Sequence, residues 1–177
     1  MLNIISSAAA GADKDEILQA MIGGDELAVP QEMFVSRSAI IVEHAMSIRV
    51  GGVDRDQVER YKFAYESGVE LPLIELFLID NVLYDVDGFH RISALDLIAQ
   101  EKGMGDYSVM ARVRTGTWQQ AEVFAAEANL HHGVHLKPED IQEAARRYLR
   151  NTNLSYAEIA RRLNVHHTTV MRLDRRE

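Results

Sequence analysis

Five consecutive residues, Asp87-Gly88-Phe89-His90-Arg91, place a glycine directly before side chains that can donate hydrogen bonds. The apolar residues that follow recur at helical spacing, so the glycine stands at the start of a predicted helix. Backbone N–H groups and the positive dipole end at a helix start favour an anion, and glycine lets a ligand approach the backbone closely. The Arg91 guanidinium can also bind two phosphate oxygens at once. The pattern predicts a phosphate-binding turn, and the alternative is an ordinary strand-to-helix turn with a solvated arginine.

A second candidate site lies near the C-terminus, where basic side chains accumulate. Residues 137–177 carry nine basic and six acidic side chains, whereas residues 1–136 carry ten basic and 21 acidic ones. Apolar spacing around a small Ala160, a capping box at Ser155 and a turn residue at Asn164 predict a helix-turn-helix. Its last helix would lie in the major groove of DNA, with its N-terminal residues at the base edges. The side chains expected at base edges are His166, His167, Thr168, Thr169 and Arg172, and those expected at phosphates are Arg161, Arg162, Arg175 and Arg176.

The chemistry of this helix makes double-stranded DNA the expected partner. Arg172 can pair with guanine through two hydrogen bonds, and the threonines can contact thymine methyl groups or phosphates. The alternative is a helical pair that only packs, with its arginines solvated.

The elements that must position these two sites follow from apolar spacing, caps and turn residues. A helix, a β-hairpin, a second helix, a strand and a third helix form a predicted α/β unit. Three further helices form the predicted C-terminal module. The predicted helices span residues 54–67, 92–98, 117–128, 138–150 and 156–163, with one more from 167, and the predicted strands span 71–79, 82–86 and 107–114.

Three segments follow from these elements and from the uneven charge. Residues 1–34 are an N-terminal extension, in which a capping box opens a short helix that ends at Gly23-Gly24. Residues 35–135 are the α/β domain, and residues 136–177 are the DNA-binding module. The aromatic residues expected in the core are Phe63, Trp118 and Phe124.

Composition excludes several classes of chemistry. The sequence contains no cysteine, which excludes disulfides, thiolate metal sites, iron–sulfur clusters and cysteine nucleophiles. No apolar run approaches the roughly 18 residues that span a membrane. No basic residue precedes Lys14, which argues against a secretory signal. The protein is therefore expected in the cytoplasm, without membrane contact.

Two pairs of adjacent histidines raise the question of a metal site. His131 and His132, with His135 nearby, form one pair, and His166 and His167 form the other. Neighbouring residues on a helix point about 100° apart, so neither pair can chelate one ion well. No metal site is therefore predicted at these histidines.

The turn, the hairpin before it and the helix after it resemble the ParB/sulfiredoxin superfamily. Its members carry a GxxR-type turn after this hairpin, as residues 88–91 do here, and Pro72-Leu73-Ile74 also matches. Asn129 stands where the ParB branch has an ENxxR-type motif. Residues 136–140, followed by the helix-turn-helix, match the order of that branch. The resemblance covers residues 35–177, and the histidine in the turn is similar to that of ParB-related free serine kinases and StrR-like regulators.

This resemblance implies an α+β fold, in which a small mixed-sheet domain precedes the all-helical module. It also implies a homodimer and a bound nucleotide, CTP or ATP with Mg²⁺. The residues implied to bind the nucleotide or its phosphates are Gly88, Phe89, His90, Arg91 and Asn129.

Departures from the family pattern limit the implied chemistry. Phe89 stands in place of the cysteine that sulfiredoxin uses, which excludes sulfiredoxin chemistry. Ala128 and His132 stand in place of the glutamate and the arginine of the ENxxR-type motif. The sequence therefore predicts nucleotide binding rather than robust hydrolysis, with at most a weak CTPase activity and no assigned catalytic residue.

Three functions remain open for this chain. The favoured one is a ParB-like DNA-binding protein that acts in partition or transcription regulation. The second is a ParB-related phosphotransferase that acts on a small hydroxyl substrate such as free serine, with Asp87 or Glu127 as the base. The third is an interaction module whose helices dock on a partner protein. The helix-turn-helix favours the first, because phosphoryl transfer does not require it.

Overall fold

The computed structural model describes residues 29–43, 46–48, 50–131 and 136–175, and of residue 131 only the backbone. The helix predicted in the N-terminal extension lies outside the described residues, as do the side chains of His131, His132, His135 and Arg176. No helix in the described part of the chain is long and apolar enough to cross a membrane.

Five strands in the described residues form one mixed sheet: β1 (Gln31–Ser36), β2 (Ile40–Ile41), β3 (Ile74–Ile79), β4 (Val82–Asp87) and β5 (Ser108–Thr115). Their order across the sheet is β1-β5-β3-β4-β2. β3 pairs antiparallel with β4 and parallel with β5, whereas β1 is antiparallel to β5 and β2 is parallel to β4. This mixed pairing confirms the predicted α+β fold class.

Helices follow the predicted order along the chain. The helix over 54–67, the helix after the turn and the helix after residue 117 are all present, and three more follow. Their bounds are α1 (Arg55–Glu66), α2 (Phe89–Glu101), α3 (Trp118–His131), α4 (Pro138–Asn151), α5 (Tyr156–Arg162) and α6 (His167–Asp174).

The starts of three helices confirm the capping residues that the sequence predicts. The Asp54 carboxylate accepts two backbone N–H groups from the first turn of α1. Thr117 exchanges hydrogen bonds with Gln120 before α3, and Ser155 does so with Glu158 before α5. Each cap satisfies N–H groups that have no partner inside the helix, so local sequence alone fixes these helix starts.

β3 and β4 form the predicted hairpin, which carries the chain to the turn at Gly88. The two loop residues, Asp80 and Asn81, have φ angles of 50° and 64°. A two-residue hairpin loop that matches the twist of the strands needs positive φ at both positions, and these residue types tolerate it. The loop therefore fixes the pairing of Ile79 with Val82, and with it the position of the end of β4.

The sheet separates two apolar cores. On one face, α1 and α2 pack over Leu76 and Ala111, which are fully buried. On the other face, α3 packs over Phe77, whose ring centroid lies 5.5 Å from that of Phe124. Leu76 and Phe77 serve opposite cores because successive side chains of a strand point to opposite faces.

The core beneath α3 continues into the C-terminal helices. Ala144, Tyr148, Ile159 and Val170 belong to the same buried cluster as Phe77. α3 therefore packs on the sheet with one side and on α4 with another. The change of charge near residue 136 does not coincide with any gap in this core.

Two strands and one aromatic residue differ from the sequence-based expectation. β1 begins at Gln31, inside the segment assigned to the N-terminal extension, and β2 has only two residues. The first four residues of β1 are all exposed, so it lacks the alternation that reveals a strand, and pairing with β5 holds it in place. Phe63, expected in the core, is 72% exposed, because Val58 and Tyr65 occupy the buried face of α1.

Candidate nucleic-acid interface and phosphate-binding turn

α5 and α6 form the predicted helix-turn-helix. Between them, Asn164 has a φ of 52°, the left-handed conformation that the sequence predicts at this turn. The backbone N–H of Val165 donates to the carbonyl of Ala160 over 2.9 Å, which closes the turn. The apolar residues around Ala160 form its core and are buried or half-buried: Ile159, Ala160, Leu163, Val165, Val170 and Leu173.

The start of α6 carries the side chains predicted for base contacts. His166 and His167 are exposed, and their ring centroids lie 4.4 Å apart. His166 caps the helix, since its Nδ1 accepts the backbone N–H of Thr168 over 3.4 Å. Thr168 and Thr169 are half-buried, and Arg172 is exposed. These five residues lie within the cap and the first six positions of one helix, as a recognition helix requires.

The arginines predicted for phosphate contacts divide into two groups. Arg161 and Arg175 are exposed. Arg162 instead donates from Nη1 to Oε1 of Glu127, on α3, over 2.9 Å. In this structure the Arg162 guanidinium therefore serves an internal ion pair that ties α5 to α3, and not the surface predicted to meet phosphates.

Glu127 lies in a buried polar cluster with Tyr148. Burial, with the nearby Glu127 carboxylate, raises the pKa of the Tyr148 hydroxyl above its usual range. Arg162 binds the Glu127 carboxylate, and the protonated Tyr148 hydroxyl lies near it. Of the two bases considered for phosphoryl transfer, Glu127 is engaged in this way, and only Asp87 lines the cavity at the turn.

Part of the positive charge of the C-terminal segment is used inside the protein. Arg147 is 2% exposed, and its Nη1 and Nη2 donate to the carbonyls of Met46 and Ser47 over 2.8 and 2.9 Å. Arg150, by contrast, is exposed, and its Nη2 lies 3.7 Å from a carboxylate oxygen of Glu143. The charge count of this segment therefore overstates the positive charge that faces solvent.

Gly88 joins β4 to α2 at a point of close packing. A Cβ atom at this position would lie 2.7 Å from Cγ2 of Ile74 and 2.9 Å from Oδ1 of Asp85. No side chain fits there without a shift of β3 or β4. The glycine is thus required by packing as well as by the ligand approach that the sequence predicts.

Arg91 is held inside the protein, with 4% of its surface exposed. Its Nη1 donates to the carbonyls of Pro72 and Leu73 over 2.5 and 2.9 Å, and its Nη2 donates to the carbonyl of Asp87 over 2.7 Å. Nη2 also lies 3.2 Å from the Asp87 carboxylate. The predicted fork onto a phosphate does not match this geometry, because both terminal nitrogens already bind protein oxygens. The hydrogen bonds of Arg91 hold the turn against the segment before β3. A contact between Arg91 and a phosphate stays a prediction.

A cavity of about 60 Å³ lies at the start of α2. The structure brings to it all the residues predicted for phosphate binding, which are Gly88, Phe89, His90, Arg91 and Asn129. It also brings Ser47, Tyr61 and Asp85, which the sequence analysis missed. Ser47 and Tyr61 lie far from the turn along the chain, and only tertiary packing places them here.

The side chains of His90 and Asn129 are oriented by hydrogen bonds to the backbone. The backbone N–H of Asp54 donates to Nε2 of His90 over 3.1 Å, so a neutral imidazole carries its proton on Nδ1. Nδ2 of Asn129 donates to the carbonyl of Ala125 over 2.8 Å, which leaves Oδ1 as an acceptor. The cavity wall thus has fixed donors and acceptors.

Asp85 is the most unusual residue of the cavity. It is 4% exposed on β4. Burial, and next the neighbouring Asp87 carboxylate, raise the pKa of Asp85 to about 8, against the opposing charge of Arg91. The sequence signal for Asp85 is an acidic residue between Tyr84 and Val86, in a strand whose hairpin partner β3 is mostly apolar.

Comparison with known proteins supports this architecture. A family model described as a helix-turn-helix domain matches residues 132–177. No curated protein matches the sequence significantly. Thirteen solved chains do match it.

Three of the solved structures illustrate the range of similarity. The C-terminally truncated chromosome-partitioning protein ParB from Caulobacter crescentus, complexed to the centromeric parS site, has a TM-score of 0.50 and 14% identity over 80% of this chain and 69% of that chain. The pNOB8-like ParB N-domain has a TM-score of 0.50 and 14% identity over 85% of this chain and 65% of that chain. Sulfiredoxin from Arabidopsis thaliana, at 20% identity over 59% of this chain and 99% of that one, has a TM-score of 0.35, too low to support an argument. The chain therefore has the fold of ParB N-domains, followed by a C-terminal helix-turn-helix.

Proposed function

We propose that this protein is a ParB-like DNA-binding protein whose helix α6 reads double-stranded DNA. The observation that carries the proposal is the division of α6 into two faces. Val170 and Leu173 are buried against the other helices, whereas His167 and Arg172 are exposed. A helix with one face anchored in a core and polar side chains presented at its start is the form in which a recognition helix enters the major groove. The Caulobacter ParB structure, in complex with the parS site, supports the same partner class for this fold.

The exposed side chains divide between base and phosphate contacts. Arg172 pairs with guanine, while His167 and the threonines contact neighbouring base edges or phosphates. Arg161 and Arg175 contact phosphates, which position the protein without specifying a sequence. The Arg162 guanidinium is left out of this set, because it holds Glu127.

The biological setting that fits is partition or transcription control by a homodimer. Two helix-turn-helix units related by a two-fold axis read two half-sites about one helical turn of DNA apart. We therefore expect a palindromic target, and a duplex that carries one half-site should bind more weakly than the full site.

Selection from a random duplex library, followed by binding measurements at several salt concentrations, tests the DNA proposal. Arg172→Ala should lose the selected sequence, whereas Arg60→Ala, which removes an exposed arginine of α1, should bind as the wild type does. A protein that selects no sequence and shows no salt-dependent binding would instead match an interaction module that docks on a partner protein.

We propose in addition that the turn at the start of α2 binds the phosphates of a nucleotide, CTP or ATP, with Mg²⁺. The convergence of Gly88, the first backbone N–H groups of α2, His90 and Asn129 on one cavity supports this. The cavity admits a phosphate group and not a whole nucleotide, so the base and sugar would lie outside it. Calorimetric titration with CTP, ATP and GTP, each with and without Mg²⁺, tests the proposal. Binding of none of them at millimolar concentration would make the turn purely structural.

A further inference from the structure

β1 forms one edge of the sheet and carries large apolar side chains that face solvent. Among the described strands only β5 pairs with it. Phe34 is 65% exposed and Met33 is 43% exposed. An apolar cavity of about 290 Å³ adjoins Phe34 and is also lined by Leu95, Ile98 and Met104. Exposed apolar groups that cluster in this way indicate an interaction surface.

This edge also lacks the features that keep edge strands from pairing. Such strands are commonly very short, or are protected by lysine, proline or a bulge. β2, at the opposite edge, has only two residues. β1 has six, with neither lysine nor proline in Gln31–Ser36 and no shift in its register on β5. In the described sheet, β1 is therefore the edge that is open to a further strand.

The backbone of β1 shows which residues would bond to that strand. The backbone N–H of Arg37 donates to the carbonyl of Tyr107 over 2.7 Å, in the register that pairs Ser36 with Ser108. Hydrogen-bonded pairs alternate along two antiparallel strands, so every second residue of β1 turns its backbone groups away from β5. The residues whose N–H and C=O groups face the open edge are Glu32, Phe34 and Ser36.

We propose that β1 pairs antiparallel with β1 of a second copy of this chain, about a two-fold axis at Phe34. This register sets Phe34 against the partner's Phe34 and Glu32 against the partner's Ser36. All three outward-facing residues then bond across the edge, through about six backbone hydrogen bonds. A shift toward the start of the strand would bring Ser36 opposite Pro30, which has no N–H to donate. The inference rests on the homodimer proposed above and names its interface.

The side chains at this edge are complementary to themselves. Phe34 would pack on the same residue of the partner, and aromatic pairs across two strands are stabilising. Val35 is buried in the core that includes Ile98, and the partner's Met33 would lie opposite it, on the side of the apolar cavity. Glu32 is the charged residue of the strand, and its carboxylate lies 2.7 Å from Nη2 of Arg112. The two edges therefore meet without unpaired like charges.

Sedimentation equilibrium of the whole chain without DNA, at concentrations from about 1 to 200 μM, tests the interface. A single strand edge is smaller than the roughly 800 Å² per partner of a typical stable interface, so we expect a dissociation constant in about the micromolar range.

Two variants weaken the pairing in different ways. Phe34→Lys places two ammonium groups across the axis, and Phe34→Pro removes the two central N–H donors. Each should raise the dissociation constant of the dimer at least about tenfold. Both should remain folded, because residue 34 is exposed and its N–H faces away from β5, and circular dichroism checks this. Phe63→Lys is the matched control, since it replaces a phenylalanine of α1 that is 72% exposed, and it should form dimers as the wild type does.

A single engineered thiol tests the register, because the sequence contains no cysteine. In the proposed pairing, the Cα atoms of residue 34 in the two copies lie about 5.5 Å apart, which is within the range that a disulfide spans. Under mild oxidation Phe34→Cys should form a covalent dimer, and Phe63→Cys should stay monomeric.

A wild type that stays monomeric over this concentration range would overturn the inference, as would a dimer that neither Phe34 variant weakens. Equal cross-linking of Phe34→Cys and Phe63→Cys would overturn it too. A monomeric wild type that nevertheless selects a DNA sequence would reject this interface and keep the DNA proposal. A dimer linked through residue 34 that selects no sequence would keep the interface and reject the DNA proposal.

Discussion

The starts of α2 and α6 carry similar residues and use them in opposite ways. Each has a histidine in the cap or first turn and an arginine within the first two turns. At α6 the arginine, Arg172, is exposed, whereas at α2 the arginine, Arg91, is buried against three carbonyl groups. The same local pattern thus gives an exposed arginine at the start of α6 and a buried arginine that binds backbone carbonyls at the start of α2.

The difference comes from what surrounds each helix start. α6 begins at the surface, where His166 and His167 are exposed. α2 begins at the end of a central strand, where the segment before β3 brings the carbonyls of Pro72 and Leu73 toward it. A guanidinium enclosed there binds the oxygens that would otherwise be left without donors. The local sequence pattern therefore predicts which side chains reach solvent better at the periphery of this fold than at its centre.

Arg91→Ala should give the largest effect, because it acts on the buried side of this comparison. It removes a buried cation and leaves the carboxylate of Asp87 and three carbonyls without their donor, at a cost of about 3–5 kcal/mol in the free energy of unfolding. Arg172→Ala, the exposed counterpart, should change it by less than about 0.5 kcal/mol. Urea unfolding of both variants measures the difference. A stable Arg91→Ala protein that loses only phosphate affinity would show that Arg91 is a ligand contact after all.

The elements of this fold could be predicted because their signals are local. The caps at Asp54, Thr117 and Ser155 and the turn residues Asn81 and Asn164 each act within a few positions of themselves. β1 carries no such signal, since its residues are mostly exposed and β5 alone pairs with it in the described sheet.

The candidate sites could be predicted only in part, for the same reason. The side chains proposed to contact DNA are contiguous on α6, so one helix pattern is enough to predict them. Asp85 takes its character from burial, and Arg162 takes its partner from a helix 35 residues away. The sequence around Arg162 does not indicate its partner, and for Asp85 it indicates only an acidic residue in a strand beside a mostly apolar one.

Ala160→Leu tests whether the two regions are as separate as their charge suggests. The larger side chain overpacks the contact between α5 and α6, at a cost of about 1–3 kcal/mol. Because one apolar cluster runs from Phe77 to Val170, we expect a single transition at lower temperature and not an early melting of the C-terminal helices alone. Fluorescence of Trp118, which packs edge-on to Tyr84 on β4 at 5.2 Å, reports the sheet, and far-ultraviolet circular dichroism reports the helices.

The control for that experiment is Ala157→Leu, which enlarges an exposed alanine of the same helix. It should leave both signals unchanged. Separate midpoints for fluorescence and circular dichroism in Ala160→Leu would show that the helix-turn-helix unfolds independently of the sheet.

Arg172→Ala tests whether the exposed arginine of α6 reads a base. Loss of a two-bond contact with guanine should reduce discrimination between the selected duplex and a scrambled one by about 1–3 kcal/mol. Affinity for the scrambled duplex should change much less. Equal losses on both duplexes would reduce Arg172 to a phosphate contact.

The smallest expected effects are those of replacing two adjacent arginines of α5, Arg161 and Arg162. Arg161 is exposed, so Arg161→Ala should remove one phosphate contact and lower the slope of log K against log salt by about 0.9, with no change in stability. Arg162 binds Glu127 at a partly exposed position, so Arg162→Ala should cost about 1 kcal/mol of unfolding free energy and leave the salt slope as it is. Both variants are measured by salt titration of DNA binding and by urea unfolding. If the structure has the two roles right, Arg161→Ala changes only the salt slope and Arg162→Ala changes only the stability. A reduced salt slope in Arg162→Ala at unchanged stability would show that its guanidinium leaves Glu127 for DNA.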